Sequence, residues 1–381
     1  MPGNQKIFLL SICMLVLFTQ CKKAYTPAVF TTGDNYLVVD GFINTTAGGI
    51  TTIVLSRTKN LADTVISIPE RSASISIQSA AGTTYPLQEV GNAGVYNSGA
   101  LTLATATQYK VVISTADKKQ YQSDLIAVKP TPVIDSITWQ QDSKGVSLYA
   151  NTHDVTNNTR YYRWQYIETW EYHSQLETIW GVTNGIAYVR TPAQQINTCY
   201  TNTPSSNILL GSTAALGQDV VSNALLGVLP PNDSTLQYRA SFLVKQFALT
   251  PQAYSYWQII QKNSEQLGTL FDLQPSQLEG NLHCITNPNE PVVGYMSATN
   301  VQEKRIFINK NDLQNWNVAP GSYNCSVVDV PQNPVDFLII NYTDTSYAPW
   351  YYVSMGPLKL AKKSCLDCTL SGGVNEKPSY W

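Results

Sequence analysis

Short runs in which apolar and polar residues alternate follow one another through much of this 381-residue chain. Ile75 and Ile77 alternate with serines in one run. Val111 and Ile113 share one face of a later run. Alternation of period two is typical of half-buried β-strands, and glycine-containing turns separate the runs. Short strands at this spacing predict a mainly β fold that begins, over residues 35–130, with a β-sandwich of immunoglobulin or transthyretin-like type.

A second β domain is predicted after the first. Pro130-Thr131-Pro132 is typical of a stiff linker, because proline restricts its own backbone and that of the residue before it. Further on, Thr250 is a natural N-cap, Pro251 suits the first helical position, and aromatic residues follow at helical spacing. We therefore expect residues 133–381 to form a β domain with a helical insertion near 250–280.

The start of the chain has the pattern of a bacterial lipoprotein leader. An apolar run over residues 7–18 is too short to span a bilayer, which takes about 20 residues. Cys21 follows it, where lipoprotein processing attaches diacylglycerol to the thiol and cleaves the chain. We expect a signal peptide over 1–20, a lipidated tether over 21–34, and membrane anchorage through Cys21. An ordinary signal peptide with an incidental cysteine is the alternative, since the residues before Cys21 are not the usual small ones.

Five cysteines remain once Cys13 is removed with the leader and Cys21 is lipidated, and an oxidising envelope would permit them to pair. They are Cys199, Cys284, Cys325, Cys365 and Cys368. Because five is odd, at least one thiol stays free or pairs elsewhere. Cys365-Leu-Asp-Cys368 could be a redox motif or half of a zinc site, but no second pair has zinc spacing. The connectivity cannot be read from the sequence, but we predict a structural disulfide from this tail region to Cys199 or Cys325 and a substantially buried Trp381.

One strand carries an aromatic ladder. Tyr162, Trp164, Tyr166 and Trp170 fall on one of its faces, together with Glu168. Such a ladder is either a binding surface or, as we expect, the buried face of a sheet. A buried Glu168 would need a partner from elsewhere, because the arginine of this strand falls on the opposite face.

The sequence carries no local catalytic motif. Its charge is nearly balanced, with 24 Lys and Arg against 26 Asp and Glu, so the sequence gives no sign of a basic patch and we expect no nucleic-acid partner. The three histidines belong to no metal motif, and no nucleophile elbow, phosphate-binding loop or dinucleotide fingerprint is present. We expect no metal, no cofactor and no enzymatic activity. The alternative is a hydrolase of polysaccharide or peptide that uses scattered carboxylates, because glycosidases have no local signature.

Several segments share their order with one family. They are Tyr36–Gly41, Thr52–Arg57, Tyr161–Tyr166, Thr169–Glu171, Cys199–Tyr200, Asn207–Gly211, Val244–Gln246, Tyr254–Trp257, Gly268–Asp272, Pro275–Ser276, Gly280–Asn281, Gly294–Tyr295, Lys304–Arg305 and Cys365–Trp381. In these segments the chain resembles the envelope lipoproteins of Bacteroidota known as domain of unknown function 4249. The resemblance implies no known activity, but it implies an accessory partner of TonB-dependent outer-membrane receptors.

The leader and the resemblance together favour an outer-membrane lipoprotein with a non-catalytic binding or docking role and an unspecified ligand. Lys22-Lys23 departs from the family, whose members are often more acidic after the lipidated cysteine. Acidic residues there favour display on the cell surface. The periplasmic and the cell-surface face of the outer membrane therefore both stay open.

Replacing Cys21 with Ser should release the protein from the membrane. Serine cannot carry the thioether-linked lipid, each buried CH₂ of which contributes about 0.8 kcal/mol to anchoring. Cell fractionation should therefore find Cys21→Ser soluble or uncleaved. Cys13→Ser, which changes a thiol inside the leader, is the matched control and should stay anchored. Tight membrane association of a cleaved Cys21→Ser protein would refute the lipid anchor.

Overall fold

The computed structural model describes residues 35–59, 68–184, 186–265, 280–318, 325–330, 345–352 and 358–381. The predicted signal peptide over 1–20, Cys21 and the tether over 21–34 lie outside these residues. Within them β-strands dominate, so the predicted mainly β fold is confirmed.

The strands are numbered in chain order. They are β1 Leu37–Gly41, β2 Ile43–Asn44, β3 Thr52–Arg57, β4 Ile68–Pro69, β5 Ser74–Ser79, β6 Thr84–Val90, β7 Val95–Ser98, β8 Gln108–Ser114, β9 Gln120–Ser123, β10 Ile126–Lys129, β11 Ile134–Asp142, β12 Gly145–His153, β13 Tyr161–His173, β14 Trp180–Thr183, β15 Ile186–Val189, β16 Thr198–Pro204, β17 Leu209–Ser212, β18 Val220–Leu229, β19 Arg239–Ala248, β20 Leu282–Cys284, β21 Val292–Val293, β22 Ala298–Thr299, β23 Gln302–Asn309, β24 Val327–Val330, β25 Tyr347–Tyr352 and β26 Leu358–Lys362.

Two α-helices accompany the strands in the described residues, α1 Pro251–Glu265 and α2 Lys363–Leu366. The helix α1 begins at the predicted proline, and the Thr250 hydroxyl accepts a hydrogen bond from the Ala253 backbone at 3.2 Å. The predicted helical insertion is thus present, and it starts where the capping pattern places it.

The first β region is one continuous sheet wrapped around a core. Its thirteen strands run in the order β2-β22-β10-β8-β5-β6-β7-β3-β1-β21, with β4, β9 and β20 paired at the sides. Alternate residues of each strand face inward, and Ile53, Ile77, Tyr109 and Tyr121 are fully buried there. Like a sandwich it buries one apolar core, but hydrogen bonds link its strands into a single sheet rather than two.

Three strands of this sheet come from far along the chain. After α1, β20 pairs antiparallel with β9, β21 pairs parallel with β1, and β22 pairs parallel with β10 and β2. The sequence predicts that residues 133–381 stay together in the second β domain and that the first β domain is confined to residues 35–130. The strand pairing corrects that assignment for 282–299, because a local apolar pattern predicts a strand without specifying which sheet it joins.

An ionic cluster holds the returning segment on the first sheet. The Glu290 carboxylate, only 7% exposed, accepts hydrogen bonds of 2.7 Å from Lys119 Nζ and from the Tyr121 hydroxyl. Arg57 lies beside it and pairs with Glu70 at 2.6 Å. Burial and the neighbouring Glu290 raise the pKa of Tyr121 well above its usual value. Each buried charge therefore has a partner, as burial requires.

The second β region packs two sheets face to face. Strands β11-β12-β18 form one, and β16-β13-β19-β23, with β17 beside β13, form the other. Tyr162 and Trp164 are buried between them, and Tyr166 and Trp170 pack against the same core. The aromatic ladder is therefore the inner face of a sheet, as expected, rather than an open binding surface.

A buried amide joins the linker to this core. Gln246 accepts a hydrogen bond from the Trp164 indole at 2.8 Å and donates to the Pro132 carbonyl at 2.8 Å and the Thr152 hydroxyl at 3.1 Å. Thr131 accepts from the Ala248 backbone and donates its own N–H to Asn300 at 2.7 Å. The proline-rich linker is thus fixed between the two β regions by satisfied buried hydrogen bonds.

Two disulfides cross-link the C-terminal tail, one to β16 of the second β region and one to the segment just before β24. They join Cys199 to Cys368 and Cys325 to Cys365, and Cys284 is a buried free thiol. The prediction that the tail pair bonds to Cys199 or Cys325 is confirmed at both positions. Cys365 and Cys368 bond to two different partners. They therefore form neither a redox disulfide with each other nor half of a zinc site.

The last residue packs onto the same sheet. The Trp381 ring lies 5.1 Å from the ring of Tyr200 and 5.8 Å from that of Phe307, and its indole donates to Glu171 at 3.3 Å. It is half-buried rather than fully buried. Aromatic contacts and one hydrogen bond thus hold a terminus that would otherwise fray.

Removing the longer disulfide should destabilise the protein strongly. The bond between Cys199 and Cys368 joins residues 169 positions apart, against 40 for Cys325 and Cys365. Loop closure predicts a cost of about 2–5 kcal/mol for the double variant Cys199→Ala/Cys368→Ala. Urea unfolding under oxidising conditions measures it.

The control for this variant is the same titration after reduction. Reduced wild type and reduced variant should then unfold together, because neither keeps a cross-link. An unchanged urea midpoint for the oxidised variant would contradict a stabilising role.

Candidate functional site

A cavity of about 460 Å³ lies where a two-stranded ribbon meets the C-terminal tail. Strands β14 and β15 form the ribbon, and β25, β26 and α2 form the opposite wall. The lining residues are Thr178, Trp180, Val182, Arg190, Ile196, Thr345, Tyr347, Ala348, Pro349, Leu360, Lys363, Leu366 and Asp367. Its volume falls within the range of about 300–1,000 Å³ that is typical of small-molecule sites.

The ribbon owes its shape to a tight turn. Its sequence at the turn is Asn184-Gly185, the pair most favoured in two-residue hairpins, and Asn184 has a left-handed φ of 51°. Behind the turn, a Cβ on Gly181 would lie 2.4 Å from the Tyr188 ring. Glycine therefore lets the Tyr188 ring lie flat across the neighbouring strand.

The ribbon and the residue before it expose apolar side chains to solvent. Five of these side chains are between 37% and 56% exposed, namely Ile179, Val182, Ile186, Tyr188 and Val189. By the strand register, Val182 and Val189 share one face of the ribbon, and Ile186 and Tyr188 share the other. We call these five residues the ribbon patch. Apolar side chains concentrated within eleven consecutive residues, rather than scattered singly, are typical of interaction sites.

Backbone hydrogen bonds fasten the cavity walls to the tail. Leu176 donates to the Cys365 carbonyl at 2.8 Å, and Cys368 donates to the Ile196 carbonyl at 2.9 Å. A side-chain hydrogen bond joins the two walls directly, because the Thr178 hydroxyl donates to the Pro349 carbonyl at 2.9 Å. With both disulfides alongside, the cavity is built on a cross-linked frame.

The lining carries two cations and one carboxylate. Arg190 is half-buried and donates to the Trp180 carbonyl, and burial lowers its pKa. Lys363 is exposed, and no ion-pair partner for its ammonium group lies within the described ranges. The Asp367 carboxylate instead accepts from the Thr369 backbone at 2.9 Å and hydroxyl at 2.5 Å. These two bonds use Oδ1 of Asp367, so the lining holds two cationic side chains beside one partly engaged carboxylate.

The sequence-predicted residues lie elsewhere, with one exception. The aromatic ladder residues line the core of the second β region, and Cys21 lies outside the described residues. Only the tail disulfides border the cavity. The sequence analysis did not predict a role for Trp180 or Arg190. The Asn-Gly pair between two apolar runs does indicate a hairpin, and this signal could have identified the segment that carries them.

The comparison with family models finds one match. The family described as Domain of unknown function (DUF4249) matches residues 22–305, three quarters of the chain. This chain belongs to the DUF4249 family. A comparison with curated proteins finds no match. In this DUF4249 chain the ribbon falls inside the matched residues, and the opposite cavity wall, from Thr345 onward, falls outside them.

The described residues of this DUF4249 protein contain neither a metal-binding cluster nor a membrane-spanning helix. Within them, no cluster of three or more His, Cys, Asp and Glu side chains is arranged to hold a metal ion. No helix of these ranges combines the length and apolar character that a membrane crossing needs. The three histidines each pair with one carboxylate, His153 with Asp135, His173 with Glu171 and His283 with Asp124.

Glu168 is the remaining unusual ionisable group. It is half-buried among the ladder aromatics, and burial, with a smaller contribution from the charge of Asp233, raises its pKa to about 7. Arg163 lies on the other face of the strand, as the alternation predicts, where its guanidinium stacks on the Trp257 ring at 4.1 Å. Among the residues that the structure describes, no cation pairs with Glu168 to keep it ionised.

The raised pKa makes stability depend on pH. Protonated Glu168 suits the folded state, so stability is lost as pH rises from the ordinary value of 4.5 through about 7. Glu168→Gln removes the charge and should be more stable than wild type at pH 8 by about 1 kcal/mol, after discounting for solvent screening. At pH 4 the two should unfold alike.

Chemical denaturation at pH 4 and pH 8 tests this expectation. Glu376→Gln removes a carboxylate at an exposed position and controls for the change in net charge. A Glu168→Gln variant that is less stable than wild type at pH 8 would mean that the carboxylate has a stabilising partner.

Proposed function

We propose that this protein is an outer-membrane lipoprotein that acts as a non-catalytic docking accessory of a TonB-dependent receptor. The observation that carries the proposal is the ribbon patch. Complete burial of one such side chain contributes about 1.5–3 kcal/mol, so a surface that leaves five of them open favours a partner that covers them.

The geometry of the ribbon supports docking in a second way. Its two strands pair with each other, and neither belongs to a larger sheet in the part of the chain that the structure describes. Tyr351, 55% exposed, stands on β25, which contacts β14. An aromatic side chain beside an apolar patch is typical of interface centres, where tyrosine is enriched.

The anchor supports the same proposal from the sequence. A lipid on Cys21 would hold the protein at the membrane in which such receptors reside, and tethering raises the effective concentration of one partner near the other. The face of the outer membrane stays open in this proposal, because Lys22-Lys23 departs from the acidic pattern.

A carboxylate-based hydrolase is the second candidate, and Glu168 is the observation that favours it. A carboxyl group with a pKa of about 7 near Asp233 has the character of a general acid. Glycosidases, however, place two carboxyl groups about 5–9.5 Å apart in a cleft. Asp367 is the one carboxylate among the described lining residues of the cavity. Glu168 instead points into the core of the second β region. The docking role is therefore the better supported one.

The docking proposal predicts that partner capture depends on the ribbon patch. The tagged full-length protein, with its own leader, is isolated in mild detergent from a member of the Bacteroidota after chemical cross-linking. A TonB-dependent receptor should co-purify with wild type. The double variant Ile186→Ser/Val189→Ser should reduce its recovery about tenfold, equivalent to 1.4 kcal/mol of binding free energy.

The control changes a still more exposed apolar residue elsewhere. Val155 is 81% exposed in a turn between β12 and β13, and Val155→Ser should leave capture unchanged. Both variants should keep the wild-type melting temperature, since they alter exposed side chains. Equal receptor recovery with the ribbon variant and with wild type would defeat docking through this patch.

A further inference from the structure

The cavity under the ribbon has features that the docking role does not require. We infer that it binds a small ligand made of a flat apolar body that carries one oxyanion group, such as a carboxylate. This inference concerns the interior of the cavity, whereas the docking proposal concerns the exposed apolar side chains of the ribbon patch. Val182 belongs to both sets, but the variants that test the two proposals change different residues, so either can fail without the other.

The charge of the lining selects the oxyanion. Arg190 and Lys363 contribute two positive charges and Asp367 one negative charge, which leaves one positive charge in excess. The Asp367 carboxylate accepts from the Thr369 backbone and hydroxyl and forms no ion pair with either cation among the described residues, although its charge acts on Arg190. One guanidinium donor of Arg190 is used by the Trp180 carbonyl. The others match the geometry in which arginine binds a carboxylate or phosphate.

The rest of the lining selects the apolar body. Trp180 and Tyr347 present aromatic side chains from opposite walls, and Val182, Leu360 and Leu366 add aliphatic surface. Aromatic rings pack well against flat apolar groups. Apolar walls with a few convergent polar groups are the usual composition of small-molecule pockets.

The frame of the cavity supports binding without rearrangement. Its walls are joined by the hydrogen bond from Thr178 to Pro349 and lie beside two disulfides. A site that is already formed loses less conformational entropy when a ligand enters. A preformed, positively charged and partly apolar cavity is therefore available in the absence of any partner.

Fluorescence titration of the purified protein with 8-anilinonaphthalene-1-sulfonate provides the test. This probe combines a flat apolar body with one oxyanion. We expect saturable binding that weakens as salt is raised, because the contact with the cations is screened. Arg190→Gln and Lys363→Gln should each weaken binding, the first about tenfold. Lys262→Gln, at an exposed position on α1, is the matched control and should bind as wild type does.

Two further arms locate the site and define the oxyanion. Ala348→Phe fills the cavity and should abolish binding. In competition, 2-naphthoate and 2-naphthyl phosphate present a carboxylate and a phosphate on the same body, and the stronger competitor identifies the preferred group. The neutral 2-naphthol should bind about tenfold more weakly in competition than the stronger of these two anions.

The outcomes divide cleanly. Weaker binding to Lys363→Gln at an unchanged melting temperature supports the inference even if Arg190→Gln folds poorly. No saturable binding, binding that persists in Ala348→Phe, or 2-naphthol competing as well as the anions would each overturn it. So would affinities of Arg190→Gln and Lys363→Gln that stay within about twofold of wild type.

Discussion

Two disulfides determine where the end of this chain lies, and the candidate site depends on them. Cys368 is bonded to Cys199 on β16, and Cys365 is bonded to Cys325 just before β24. One cavity wall comes from residues 178–196 and the other from residues 345–367. Without covalent links, segments so distant in sequence would have to be held together by packing alone. The disulfides thus hold the C-terminal tail in place as one wall of the cavity.

Buried polar groups perform a comparable task between the two β regions. Gln246 engages the Trp164 indole, the Pro132 carbonyl and the Thr152 hydroxyl, and the neighbouring Thr131 contacts Ala248 and Asn300. Because the alternative to each bond is an unsatisfied buried group, the network favours one arrangement of the linker over others. Apolar packing alone would fix that arrangement less narrowly, since it has no directional preference.

Local patterns in the sequence predicted local structure well. The start of α1, the strand character of the aromatic ladder and the bonding of the tail cysteines to Cys199 and Cys325 all follow from capping, alternation and compartment. The pairing of β20, β21 and β22 with the first sheet did not, because strand partners depend on the whole topology. The cavity escaped prediction for the same reason: Arg190 and Lys363 meet only after distant segments have assembled.

The return of residues 282–299 to the first sheet has a consequence for how the chain matures. Synthesis runs from the N-terminus, so β1–β10 are complete long before β20–β22 exist. Until then β1, β9 and β10 each have one free edge, and β2 lacks the strand with which it finally pairs. Unpaired strand edges are templates for wrong association, and non-local pairing is slow. The half-built sheet is therefore the stage at which this chain is most prone to associate wrongly.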